Sequence, residues 1–373
     1  MHAQRDRIYL ANHSLGRPLD ATEDDVREGL AAWYARLGDA WDDWGAEMAA
    51  FRARLAALAR SAARRIASCR RRARGRACAQ CSIRCDRVPR VVATRGEFDS
   101  LDVILREYAR RGRVDARVRR AGRGRRCSRR RTCCAAIAPG ADLVVLSQVM
   151  FQTGQVHAGA AADRRCRACG GARVLLDVYH SLGVFPVDLA ALDVDFAVGG
   201  SYKYLRGGPG ACFLYVAPRH LDAGTGTLDI GWFAKESPFA YARPDPPRYA
   251  AGGDAWLEST PAVLAAVPGA RRAGVHAGGR RGAAARVFAR AAAAARRAAR
   301  RARNRRAAAA RRTAARSSSC ARATASAWAD ALEARGIVTD ARGEWLRLCP
   351  DVLTTETELR RRGRRHSPKS RAA

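Results

Sequence analysis

The sequence predicts an α/β fold built around a mostly parallel β-sheet, and three observations lead there. Residues 173–216 read RVLLDVYHSLGVFPVDLAALDVDFAVGGSYKYLRGGPGACFLYV, in which RVLLD, VDFAVGG and ACFLYV are short apolar runs bounded by Gly, Pro and Asp. Runs of that kind are the buried strands of a sheet covered on both faces. Upstream, VPRVVAT and DLVVLS repeat the pattern, and a helix-like segment follows the first of them. The polar residues with chemical potential stand just past strand ends: Asp177 and His180 after one run, Ser201, Tyr202 and Lys203 after the next. Ligands of open α/β sheets bind at the carboxyl ends of strands.

Taken in order, IYLANHSLGRPL at 8–19 predicts a short strand and a turn. A helix is expected from about Thr22 to Leu37, with Thr22 as N-cap, Glu23, Asp24 and Asp25 at its positive end, and Gly38 as its stop. A second helix is expected from about Asp43 to Ala59, with Trp33, Trp41 and Trp44 as packing residues. The strand at VPRVVAT leads to a helix from about Phe98 to Arg110, and DLVVLS is the next strand. After Val216 the chain reaches WADALEARGIVTDARGEWLRLCP, a helix and two strands of a smaller α/β unit. At 373 residues the chain is long enough for two domains. The expected division is an N-terminal segment with helices over 1–60, a large domain over 61–262, a small domain over 263–359 and a basic tail over 360–373.

Lys203 carries the chemistry. The chain has only three lysines, Lys203, Lys235 and Lys369, against many arginines, so a lysine kept between two buried strands is poorly explained as surface charge. A desolvated lysine forms Schiff bases, and a carboxylate such as Asp177 can keep a pyridine nitrogen protonated. A lysine with an aspartate partner for the pyridinium nitrogen is the protein's share of pyridoxal 5′-phosphate (PLP) chemistry. The competing reading is an ion pair at a sheet end.

Those residues also carry a family likeness. Asp177-x-x-His180 followed by SYKYL-x-x-GPG resembles kynureninase and its relatives in the class V aminotransferase group. The resemblance implies PLP fold type I: a large domain with a mostly parallel seven-stranded sheet and a smaller C-terminal α/β domain, working as a homodimer. It implies Lys203, Asp177 and Tyr202 as catalytic residues, with His180 beside the cofactor. Phe98 in EFDSLD matches the phenylalanine that stacks on the PLP ring, and Ser147, Gln148 and Thr153 in DLVVLSQVMFQTGQVH would face the cofactor. Trp232 in GWF and Thr260 in DAWLESTP match positions near the phosphate, the latter across a dimer interface. Asn12 and Ser14, in a run similar to the family's NSLG, and Arg347 in LRLCP, similar to its R-x-x-P, are the implied substrate residues. A guanidinium suits a substrate carboxylate. The implied reaction is hydrolytic cleavage of the Cβ–Cγ bond of a kynurenine-type amino acid. Another class V aminotransferase or lyase is the alternative.

The formal charge of +34 points at first to nucleic acid, but it is concentrated. Residues 61–90, 117–134, 163–170, 270–323 and 360–373 hold 46 of the 69 Lys and Arg and 2 of the 35 acids. The remainder is 23 minus 33, or −10, ordinary for an enzyme, and nucleic-acid binding is not expected. Ten of the twelve cysteines share the first four pieces, leaving Cys212 and Cys349 as buried thiols suited to a reducing cytoplasm. Cys78-x-x-Cys81 and Cys166-x-x-Cys169 lack a nearby second pair, so no metal is expected. Read out of frame, a GC-rich gene yields Ala, Arg and stray Cys, and the basic pieces have that composition. The remaining alternatives are Arg-rich nucleic-acid-binding arms or an inactive remnant. The expected phosphate loop falls within 61–90, where Ser61, Ser68 and Ser82 stand among arginines and no such loop is recognisable. Neither a leader peptide nor an apolar run of membrane-spanning length is expected.

Overall fold

The computed structural model describes residues 6–62, 65–69, 87–119, 140–156, 171–222, 230–278 and 324–351, with 227, 290, 293, 353–355 and 357–358 besides. Its centre is a seven-stranded sheet. In chain order the strands are β2 (Ile66–Cys69), β3 (Arg90–Thr94), β4 (Asp115–Arg119), β5 (Leu143–Ser147), β6 (Arg173–Asp177), β7 (Phe196–Gly200) and β8 (Cys212–Val216). They lie in the order β2-β8-β7-β6-β5-β3-β4. From β7 to β4 the neighbours are parallel, while β8 runs antiparallel to both β7 and β2. The mostly parallel sheet is thus as the apolar runs predict. The antiparallel edge fits the connection over 201–211, which is shorter than the dozen or more residues a parallel crossover needs.

Both faces of the sheet are buried, and alternate side chains divide between them, as strand geometry requires. Val144, Val174, Leu176 and Phe213 join Phe51 and Leu55 in one core, and Leu143, Val145, Leu175, Phe196 and Val198 join Leu101, Leu105 and Trp256 in the other. Phe51 and Leu55 come from α2 (Ala40–Leu58), Leu101 and Leu105 from α3 (Asp99–Arg110), whose first turn carries Asp99 and Asp102. Helix α1 (Ala21–Arg36) precedes α2.

Two details of α1 differ from the sequence expectation. Asp20, not Thr22, is the N-cap residue, and the helix stops where Leu37 takes φ of 49°, one residue before Gly38. Two of the basic pieces also retract at their borders. Ile66 and Ala67, inside the first, are fully buried and pair with Tyr215 and Leu214 of β8. Counting α4 (Leu189–Leu192) and α5 (Pro218–Asp222), the next helix is α6 (Val263–Gly278), which carries the border of 270–323 into the core. Its Ala270 and Ala273 are fully buried, Arg271 binds Asp25, Glu28 and Glu47 of α1 and α2, and Arg272 binds Asp25. Three acids for two arginines mark this turn as fitted to its neighbours. Helix α6 thus packs against α1 and α2.

The C-terminal unit contains α7 (Ala325–Glu333), capped by Thr324, whose hydroxyl accepts from Ala327 N at 3.2 Å. Strands β9 (Ile337–Val338), β10 (Asp340–Arg342) and β11 (Trp345–Arg347) follow. β10 and β11 form an antiparallel pair, while β9 pairs in parallel with the N-terminal strand β1 (Ile8–Tyr9). The first strand of the chain thus completes the last unit. A buried ion pair ties that unit to the loop after Lys203: Arg206 donates to Asp351 at 2.7 Å and to Arg17 O at 3.0 Å. Among the described residues no helix is long and apolar enough to cross a membrane.

Candidate active site

Strands β6 and β7 end side by side, and the residues beyond them build a buried polar centre. Asp177 closes β6 with Ser147 opposite it on β5 and Val198 on β7. One carboxylate oxygen accepts from Tyr179 N at 2.9 Å, which fixes the side chain at the strand end. Lys203 sits two residues past Ser201, itself locked by its hydroxyl to Gly208 O and Ala211 O. Lys203 is 3% exposed, and its Nζ lies 2.5 Å from His180 Nε2. At that distance one nitrogen carries the hydrogen and the other accepts it, so His180 aims the amine. The same Nζ stands 5.5 Å from the Phe98 ring, 5.7 Å from Tyr179 and 5.6 Å from Tyr202. Lys203, Asp177, His180, Tyr202 and Phe98 are therefore in one place.

The N-terminal loop is pressed onto this centre. Gly16 N donates to Tyr202 O at 2.8 Å, and a Cβ at Gly16 would lie 1.7 Å from Lys203 O. Only glycine permits that approach, and it carries residues 12–14 to the site. Ser14 Oγ donates to Asp340 Oδ2 at 2.9 Å and Arg347 Nη2 reaches Ser14 Oγ at 3.5 Å. Asn12 is spent on structure: it donates to Cys349 O at 3.0 Å and accepts from Arg17 N.

Arg347 connects to the centre through aromatic rings. Its Nη1 donates to Phe151 O at 2.8 Å, the Phe151 and Phe98 rings are 5.4 Å apart, and Phe98 faces Lys203. Its other donors engage Asp340 as a fork, Nε to Oδ1 at 2.7 Å and Nη2 to Oδ2. Burial alone would raise the Asp340 carboxyl; hydrogen bonds from His13 and Arg347 hold it well below the usual carboxylate range. Burial pushes the Cys349 thiol up to about 11 and raises the Tyr204 hydroxyl, and these two atoms lie 3.1 Å apart.

Three expected residues lie on other segments. Thr153 is exposed at the tip of a turn closed by a Val149–Val156 bridge, and its hydroxyl serves Gln155 N. Trp232 packs with Phe233, Phe239 and Tyr241, and its segment rests on 257–259. Trp232 and the Thr260 segment are thus neighbours. Of the three serines in the stretch where a phosphate loop is expected, Ser82 lies outside the described residues, as do both CxxC pairs.

Sequence reasoning missed three members. Asp340 and His13 are brought in by strand pairings between the chain's two ends. Glu97 is buried next to Phe98, and its carboxylate accepts from Ser147 at 2.5 Å and Thr94 at 2.7 Å. Burial pushes Glu97 up to about 7, with the Asp177 charge adding to the rise. The placement of Glu97 beside the helix start was visible in the sequence; the burial was not.

The residues present fit PLP. A buried amine, a buried carboxylate and an aromatic plate are the donor set that the cofactor needs. Gln148 Oε1, at the strand end where Gln148 N binds Asp177 O, is buried with no hydrogen-bond partner among the described residues. Buried polar atoms are normally paired, so a polar group on a bound molecule would complete it.

Comparison with known proteins agrees. A family model described as aminotransferase class-V matches residues 79–253. The chain is 42% identical over 123 residues to a kynureninase of Deinococcus radiodurans, an alignment covering 33% of this chain and 29% of that protein. It is 39% identical over 108 residues to a kynureninase of Pseudomonas fluorescens, covering 29% and 24%. The chain thus matches less than a third of the length of these relatives. Among solved structures it is similar to the cystine C-S lyase C-DES in complex with cysteine persulfide, with a TM-score of 0.81, 18% identity and 96% of each chain covered. The cysteine desulfurase CsdA of Escherichia coli gives 0.73 and 16%, covering 96% of this chain and 94% of that one. At such identities the likeness establishes the fold, PLP fold type I.

Proposed function

We propose that this chain, a kynureninase-like member of the class V aminotransferase group, is a PLP-dependent hydrolase that cleaves the Cβ–Cγ bond of a kynurenine-type amino acid, working as a homodimer in the cytoplasm. The observation that carries the proposal is the path Lys203–Phe98–Phe151–Arg347, which sets a carboxylate-binding guanidinium two ring contacts from a buried amine. When bound, PLP supplies an electron sink for negative charge at the substrate's Cα.

The chain's residues take the remaining roles. Lys203 is the amine that would hold the cofactor, and its Nζ would accept the proton from the substrate's Cα. His180, at 2.5 Å, holds that amine in line. Asp177, its orientation set by Tyr179 N, would keep a proton on the ring nitrogen. Phe98 would cover the ring face, and Tyr202 would hold the phosphate and donate a proton. Arg347 would bind the substrate carboxylate through the guanidinium hydrogens that Asp340 and Phe151 O leave over. Water then adds to the side-chain ketone. The Cβ–Cγ bond breaks, its electron pair goes to Cβ, a proton follows, and alanine and an aromatic acid leave.

Purified protein supplied with PLP and kynurenine tests this reading. Alanine and anthranilate in equal amounts are expected. Turnover of cysteine, or transfer of the amino group to a keto acid, without kynurenine cleavage would favour a lyase or an aminotransferase instead.

A further inference from the structure

His13 is a buried histidine that the reaction above leaves idle. It is 6% exposed, and its Nε2 lies 2.8 Å from Asp340 Oδ1. Asp340 accepts there, so the neutral ring carries its hydrogen on Nε2 and presents the lone pair of Nδ1. That atom is buried and has no hydrogen-bond partner among the described residues. A buried acceptor left unmatched costs about 1–3 kcal/mol, so a donor that arrives only with a ligand would account for it.

The surroundings indicate which donor. Asp340 shares one carboxylate between His13 and Arg347, so His13 is anchored to the residue proposed to bind the substrate carboxylate. Its loop is hydrogen-bonded to Tyr202 O by Gly16 N. Burial lowers the imidazole, the Asp340 hydrogen bond opposes this, and the cations Arg347 and Lys203 lower it further. The charged and titratable groups facing the ring are thus Asp340, Arg347 and Lys203, with the Cys349 thiol beside the His13 backbone. Before ligand binds, the ring is neutral and able to accept a proton. A carboxylate arriving on Arg347 cancels one of those cations and makes the ring more basic.

We propose that His13 takes a proton from the α-ammonium group of the amino acid whose carboxylate Arg347 holds. An N–H bond of the ammonium breaks and its electron pair stays on the α-nitrogen. A bond forms between that hydrogen and His13 Nδ1, and the resulting imidazolium is paired with Asp340 through Nε2–H. The α-nitrogen then owns the lone pair that displacement of Lys203 requires. The proposal rests on the amino-acid-binding reading above, and its test separates the two.

The PLP-loaded protein and its His13→Gln variant are mixed rapidly with substrate, and the cofactor absorbance change is followed from pH 6 to 9. Glutamine keeps an acceptor but cannot hold the proton. The expected result is a loss of about 10²-fold in the second-order rate constant at pH 7, recovering as the free amine becomes abundant at high pH. Calorimetric titration in two buffers should show one proton more released to solution by the variant than by the parent on binding. Rates within twofold and equal proton counts would overturn the role of His13 while leaving the proposed function standing. A parent whose absorbance responds to no α-amino acid would overturn both. In the parent itself, ¹⁵N shifts should show His13 protonated on Nε2 alone at neutral pH; a hydrogen on Nδ1 overturns the proposal whether or not a variant folds.

Discussion

Replacing Glu97 with glutamine should remove a pH-dependent weakness of the fold. Below pH 4.5 the carboxyl is protonated in both the folded and the unfolded chain, and it contributes no slope. Between 4.5 and about 7 the unfolded chain has lost this proton while the folded chain keeps it, because the group is buried beside Ser147, Thr94 and the Asp177 charge. The folded state then binds more protons, so stability falls as pH rises. Above about 7 both states are ionised and the slope ends. At about 1.4 kcal/mol per pH unit, the interval from 4.5 to about 7 amounts to about 3 kcal/mol. Glutamine has the same shape and no charge to desolvate. Urea unfolding of parent and Glu97→Gln at pH 4.5 and pH 8 should therefore show the variant gaining about 3 kcal/mol on the parent across that range. A difference that stays constant within 1 kcal/mol, or that favours the parent at pH 8, would refute the burial argument.

Three further outcomes are expected. Arg206→Ala leaves Asp351 buried and unpaired, since the pair is 4% and 0% exposed; it should cost about 3–5 kcal/mol in urea unfolding, with protease cleavage first in the C-terminal unit. Asp177→Asn should retain PLP yet lose most turnover, because an amide cannot hold the proton on the ring nitrogen; activity within a few-fold of the parent would remove Asp177 from that role. A gene with the frame restored in the basic stretches should yield more soluble, more PLP-rich and more active protein than the chain as written, since a parallel sheet needs apolar cover on both faces; equal solubility, PLP content and turnover would show those stretches to be native.

The sheet was legible because its strands are continuous apolar runs. Val144, Val174 and Phe213 declare burial without reference to any partner. Lys203 and Asp177 were legible because they follow such runs directly. The substrate side was harder, since it depends on contacts across the whole chain. Asp340 looks like a turn residue until β10 and the NHSLG loop are brought together, and His13 and Arg347 then share its two oxygens. Arg271 and Arg272 read as part of a charge run because their partners Asp25, Glu28 and Glu47 lie over 200 residues away. Ile66 and Ala67 were hidden for the same reason: a two-residue apolar run means little until β8 stands beside it. Thr153 failed in the opposite direction, since its turn pattern is real but points to solvent.

Borohydride reduction of the PLP-loaded protein followed by peptide mapping identifies the lysine that holds the cofactor, proposed here as Lys203. A pyridoxyl group is expected on Lys203 and none in a Lys203→Ala variant. A pyridoxyl group on Lys235 or Lys369 in the parent would contradict it.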